Sequence, residues 1–321
     1  MLFPIIAALA SATLSQATCF HETCSKYSFD LSLATHPDWM AQIPDDIDVT
    51  SLSIPGTHNS LTYSLHNELL QTQNTDLRGQ LTAGIRYIDV SGRVKDNKIQ
   101  LYQGDVDTTY DLGKVFTILF DFLDQHPTEA LIMRVKKDPL VSDDEEVFAG
   151  LMSDYLDART AIGQRAQSHV YFGENPESSQ APQLGEVRGK VIILQDFPTN
   201  TPGVGGIPWN SNTVVALDLE PESEPIPLDI KWSVTEMSLA WASLETDNIF
   251  HVTQTNGSTS QAALKNAGGT KLGEIGMNDR LGEALGSEFN SRTRIVAMDF
   301  PGKLLLDKFI QGNFAVYAQS K

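Results

Sequence analysis

The sequence predicts an α/β fold built on a parallel sheet, most naturally closed into a TIM-type (β/α) barrel. Three observations predict it. Short, β-branched, nearly continuous apolar runs recur along the chain, as strands buried on both faces of a parallel sheet require. Amphipathic helical stretches alternate with them, the order expected of βα units. The runs number about eight, enough for closure, and 321 residues accommodate a barrel of about 250 residues plus a leader.

The strand runs fall at 49–54, 85–90, 99–102, 130–135, 191–194, 214–217, 250–253 and 295–298. Residues 112–123 place apolar side chains at helical spacing and stop at His126-Pro127. Residues 143–156 follow Ser142 as a cap and carry acids in the first turn. Further helices are expected at 235–244, 281–289 and 304–314. The Pro/Gly-rich stretch 198–208, with Trp209 just beyond, and the acidic, proline-rich 220–227 read as long loops of one domain.

The first 17 residues carry no charged side chain. An apolar run leads to Ser15-Gln16-Ala17, which fits small-x-small cleavage, so 1–17 reads as a secretory signal. Residues 18–45 then form an N-terminal extension and 46–321 the barrel. The two cysteines, Cys19 and Cys24, follow the expected cut and are expected to form one small-loop disulfide in an oxidising compartment. Two thiolates cannot build an all-cysteine zinc site. Asn256-Gly257-Ser258 is a glycosylation sequon, compatible with secretion. The net charge of −18 argues against nucleic-acid partners and against strong attraction to anionic membranes.

Chemistry concentrates in three stretches. Ser53–Ser60 (SIPGTHNS) ends a strand run and carries His58, a candidate general base or a locally bonded loop histidine. Gly56 before it permits a sharp turn. IRYIDVSGRV places Asp89, Ser91 and Arg93 on one strand face, with Asp89 either a buried pocket acid or a turn cap. Asp299 in IVAMDFPG ends the last run, positioned to orient a histidine. In a barrel such strand ends line the active site. Of the other histidines only His251 lies near a strand end; no Gly-x-Ser-x-Gly elbow and no GxxxxGK[ST] loop is present.

IPGTHNS, GIRYIDVSGR, HPTEALIMRVKK, LGEVRGKVIIL and AMDFPG, in that order, resemble the catalytic domain of the bacterial-type phosphatidylinositol-specific phospholipase C family. The resemblance implies a single-domain, distorted TIM-type barrel acting on phosphatidylinositol, a glycolipid anchor or a related phosphodiester at a transient membrane contact. In that family a histidine takes the inositol 2-hydroxyl proton, the oxygen attacks phosphorus, and a second histidine protonates the leaving oxygen. The resemblance assigns His58 as base, Asp299 as its orienter and Asp89 as a pocket acid. Asn59, Arg93, Lys136 and Asp229 are candidate substrate contacts. Trp209 is a candidate lipid-interface residue or a packed loop anchor.

Two positions depart from the pattern. Ser91 stands where metal-free members carry an arginine and calcium-using members an acid, and Gln103 replaces the second histidine. A glutamine can only hydrogen-bond; it is not an acid with a useful pKa. Tyr102 as acid, Arg93 as phosphate cation, or a weak cation held by Asn59, Asp89 and Asp105 are the routes by which turnover would survive. No cofactor is expected. The alternative is an inactive protein that binds inositol phosphates or glycolipids on the same fold.

Overall fold

The computed structural model describes residues 17–138, 145–173, 181–199, 206–209, 211–217, 226–246, 248–256, 262–270, 273–286 and 292–318. The expected signal, apart from Ala17, lies outside them, as do most of the loops at 198–208 and 220–227 and the expected cap Ser142.

In chain order the strands are β1 Thr18–Phe20, β2 Thr23–Ser25, β3 Ile54–Thr57, β4 Tyr87–Lys95, β5 Lys98–Gln103, β6 Val106–Asp111, β7 Ala130–Lys137, β8 Lys190–Asp196, β9 Ile207–Pro208, β10 Val214–Leu217, β11 Phe250–Gln254 and β12 Ile295–Met298. The helices are α1 Leu77–Ala83, α2 Leu112–Gln125, α3 Glu145–Leu156, α4 Ala161–His169, α5 Leu184–Val187, α6 Leu228–Leu244, α7 Ala263–Gly268, α8 Met277–Ala284 and α9 Lys303–Tyr317. Eight strands pair in the order β10-β11-β12-β3-β4-β7-β8-β9, every pair parallel. Among the described residues β9 and β10 do not pair, so the barrel is nearly closed, with its seam there.

Strand alternation sorts the apolar side chains. Ile54, Tyr87, Ile132, Ile192, Val252 and Ala297 fill the barrel interior. Ile88, Val90, Met133 and Ile193 point outward and pack with Phe116, Leu119 and Phe120 of α2. α2 begins where Asp111 accepts the Lys114 amide, and its apolar stripe matches the barrel wall.

Two expected barrel strands turn out otherwise. In 49–54 only Ile54 is strand; Val49–Ser51 is a 3₁₀ turn. The Asn313 side chain bonds both the N–H and the C=O of Ser53, taking the partners a neighbouring strand would have used. The 99–102 run is β5, which pairs antiparallel with β4 and β6 and forms an arm off the barrel. Helix α6 starts earlier than expected, at Leu228, just after Pro227, and α8 is Met277–Ala284 rather than 281–289.

Residues 18–45 lie along the barrel. Cys19 and Cys24 form a disulfide across the β1–β2 pair. Phe20 and Phe29 stack and meet Phe300. Asp30 accepts the Lys303 amide at the start of α9. At the opposite end of the barrel Met40 donates its N–H to Glu129, which pairs with Arg86; both side chains are fully buried. Burial lowers the Arg86 guanidinium and the Glu129 charge works against it.

Candidate active site

The strand register assembles the site. Met298, Thr57, Ile88 and Met133 are mutual neighbours across β12, β3, β4 and β7. The following residue on each strand, Asp299, His58, Asp89 and Arg134, therefore shares one interior layer at the C-terminal mouth. Gln254 pairs with Ala297, so Asn256 joins that layer beside Asp299. The layer above holds Ser91, Lys136 and Asp196, also in register.

Gly56 is required by close approach rather than by a turn: a Cβ there would lie 2.6 Å from the Tyr87 ring. The left-handed residue is Asn59, with φ 42°, a conformation Asn tolerates. Buried polar side chains lock the turn. Gln73 Nε2 donates to the carbonyls of His58 and Met298, tying β3 to β12. Thr57 donates to Gln80, whose amide donates to the Ser60 carbonyl. The Ser60 N–H donates to the Asp89 carbonyl and the Asp89 N–H to the Ser60 hydroxyl, joining β3 to β4.

His58 is buried, and its Nδ1 lies 2.8 Å from Asp299 Oδ1. Its Nε2 lies 2.8 Å from the Asn59 amide nitrogen and 3.4 Å from that of Asn256. An amide nitrogen only donates, so Nε2 is the acceptor and Nδ1 carries the proton given to Asp299. In that tautomer Nε2 is the basic atom a general base needs, and here it accepts from the Asn59 amide. Asp299 Oδ2 is buried with no hydrogen-bond partner among the described residues.

Asp89 is buried, with Oδ1 3.7 Å from Arg134 Nη1. Arg134 donates from Nε and Nη2 to Asp196 Oδ2, at 3.0 and 2.6 Å, and lies 4.1 Å over the Trp209 ring. Burial works to lower this guanidinium, but Asp89, Tyr87 and Asp196 together outweigh it and hold it above the usual arginine range. Trp209 is thus a packed partner of Arg134 within the mouth.

Asn59, Asp89, Ser91, Tyr102 and Gln103 line one small cleft, so both departures from the family pattern face it. Arg93 is committed to structure: it donates to Asp138 and to the Gly104 carbonyl and stacks on Tyr102, holding the β5–β6 arm. Lys136 points into the mouth between Ser91 and Asp196. Asp229 stands in the first turn of α6, exposed and paired with Arg280. His251 faces outward from β11 against Trp241 of α6, away from the mouth.

Arg134 and Asn256 also stand in this mouth layer, although no motif marks them for it. Arg134 shares strand parity with Ala130, Ile132 and Lys136, a signal that was available. Asn256 was read as a sequon, yet it is fully buried beside His58. A calcium ion does not fit the donors here. Asn59 is turned to His58, Asp105 is tied to Arg93, and among the described residues no three His, Cys, Asp or Glu groups converge.

Residues 52–196 match the family model "Phosphatidylinositol-specific phospholipase C, X domain". The chain is 29% identical over 299 residues to the 1-phosphatidylinositol phosphodiesterase of Listeria monocytogenes, covering 87% of this chain and 86% of that protein. It is 29% identical over 172 residues to the enzyme of the same name from Staphylococcus aureus, covering 51% and 52%. The solved phosphatidylinositol-specific phospholipase C of L. monocytogenes superposes with a TM-score of 0.70 at 25% identity, covering 87% of this chain and 99% of that one. With the barrel, the mouth histidine and these matches together, residues 52–196 form a domain of the phosphatidylinositol-specific phospholipase C X-domain type, and the chain as a whole is similar to the bacterial enzymes named above.

Proposed function

We propose that the protein is a phosphodiesterase of the phospholipase C type acting on phosphatidylinositol or a closely related glycolipid diester. One observation carries the reading: a buried His58–Asp299 pair in the barrel-mouth layer, with His58 Nε2 as the acceptor atom, held in this structure by the Asn59 amide that a substrate hydroxyl would replace. His58 Nε2 takes the proton of the inositol 2-hydroxyl, whose oxygen bonds to phosphorus. The bond from phosphorus to the lipid oxygen breaks, and that oxygen takes a proton from water, because the Gln103 amide is too weak an acid to supply one; the hydroxide left behind takes back the proton held on His58. The product is a cyclic inositol phosphate and diacylglycerol. A missing general acid lowers the rate by about 10²–10⁴-fold. The uncharged apolar leader and the Cys19–Cys24 disulfide support a secreted protein meeting lipid from outside the cell.

A second reading, inositol-phosphate binding without turnover, is favoured by Ser91 and Gln103 on the cleft wall. Phosphorus NMR on phosphatidylinositol vesicles separates the two. The first reading expects a cyclic phosphate signal that disappears in His58→Ala. Binding of inositol 1-phosphate with no phosphorus turnover, or turnover unchanged in His58→Ala, rejects it.

A further inference from the structure

We propose that residues 18–30 form a positioning strap, closed by the Cys19–Cys24 disulfide, that sets Asp299 against His58. The inference deepens the phosphodiesterase reading and rests on it.

The Asp299 carboxylate has little of its own to aim it. Oδ1 lies 2.8 Å from His58 Nδ1, and Oδ2 is buried with no hydrogen-bond partner among the described residues. Its place is therefore set by the main chain on either side. On the β12 side the Met298 carbonyl accepts from the His58 N–H at 3.0 Å and from the Gln73 amide at 2.9 Å. On the other side the chain leaves the sheet at Phe300, whose φ is 44°. A bulky L-residue takes that left-handed conformation only where its surroundings impose it.

The strap supplies the constraint. The Phe29 N–H donates to the Phe300 carbonyl at 3.1 Å, and the Gly302 N–H to the Tyr27 carbonyl at 2.8 Å. Ser28 bridges antiparallel to Pro301. A Cβ on Gly302 would lie 2.7 Å from the Ser28 amide nitrogen, so the two segments meet backbone to backbone. Fully buried Asn278, in the first turn of α8, ties strap and site together: its side-chain amide donates to the Ser28 hydroxyl and to the Asp299 carbonyl, each at 2.9 Å. The Phe20 ring stands 5.8 Å from Phe29 and 5.6 Å from Phe300, and covers the left-handed turn. Phe20 reaches it from β1, which the disulfide fastens to β2. Both cysteines are exposed, so a reductant reaches them in the folded protein.

The test reads the His58–Asp299 contact with and without turnover. Proton NMR of protein carrying isotope-labelled histidine shows the His58 Nδ1–H as the imidazole signal that is absent from His58→Ala. Phe20→Ala, Asn278→Ala and the wild type reduced with a phosphine are compared. That signal is expected to shift upfield or vanish in all three. On phosphatidylinositol, kcat is expected to fall about 10-fold in Phe20→Ala and in the reduced protein, and up to about 10²-fold in Asn278→Ala, as for a misplaced catalytic group. KM is expected to change less than about twofold, because no substrate contact is removed. In the Asp299→Asn background the same changes are expected to leave kcat where it is. If Asn278→Ala does not fold, the other two perturbations carry the test. An unchanged Nδ1–H signal in Phe20→Ala and in the reduced protein, or an equal fall in kcat with and without Asp299, overturns the proposal. A strap-dependent signal in a protein with no turnover overturns the phosphodiesterase reading alone. Full turnover with kcat and signal untouched by the strap changes overturns this proposal alone.

Discussion

His251 gives a stability prediction that can be worked from the coordinates. It is fully buried under α6, neither ring nitrogen has a hydrogen-bond partner among the described residues, and the edge of the Trp241 indole packs on it. Burial, and after it the Arg294 charge, push its value from 6.5 down to about 4. The folded protein therefore holds this ring neutral where the unfolded chain would protonate it. At about 1.4 kcal/mol per pH unit, that difference is worth about 3 kcal/mol. A depressed histidine value means the contribution is whole above pH 6.5, is lost progressively as pH falls toward 4, and changes no further below that. Urea unfolding at steps from pH 8 to pH 4, for wild type and His251→Leu, reads it directly. Carboxylates elsewhere destabilise both proteins alike in acid, so the difference between the two curves is the signal. The stability gap is expected to shift in favour of the leucine variant by about 3 kcal/mol between pH 7 and pH 4. Parallel curves across that range would refute the account of this site.

Two further substitutions probe the mouth and the opposite end of the barrel. Gln103→His restores a proton donor to the cleft wall; kcat on phosphatidylinositol is expected to rise, by up to about 10²-fold, and an unchanged kcat in a folded protein argues that the leaving oxygen does not pass near Gln103. Glu129→Gln leaves the fully buried Arg86 without its counter-charge; a loss of about 3–5 kcal/mol in denaturant unfolding is expected, and a loss under about 1 kcal/mol shows that solvent reaches the pair.

Much of this was legible before the fold was known. The apolar runs around Ile88, Met133, Ile193 and Val296 became neighbouring parallel strands, because continuous burial leaves a chain few alternatives. His58, Asp89 and Asp299 converge because each lies one residue past a paired position at the same end of the barrel. What stayed hidden depended on partners far along the chain. Residues 49–53 have the composition of a strand, but Asn313 on α9 claims the backbone of Ser53. Arg134 looked like a cation inside an apolar run until the register set it beside Asp89 and Asp196 appeared beneath its fork. Asn256 carries a local sequence signature that burial overrides. The role of residues 18–45 was equally invisible, since Phe20 and Asp30 act on Phe300 and Lys303 at the far end of the chain.

The central claim is that His58 and Asp299 act as one unit. A double-mutant cycle with His58→Ala and Asp299→Asn on phosphatidylinositol turnover tests it most directly. If the aspartate works only through the imidazole, replacing it lowers kcat in the wild type and changes nothing once His58 is gone. A fall by the same factor in both backgrounds would show two independent groups, and the site as described here would be wrong.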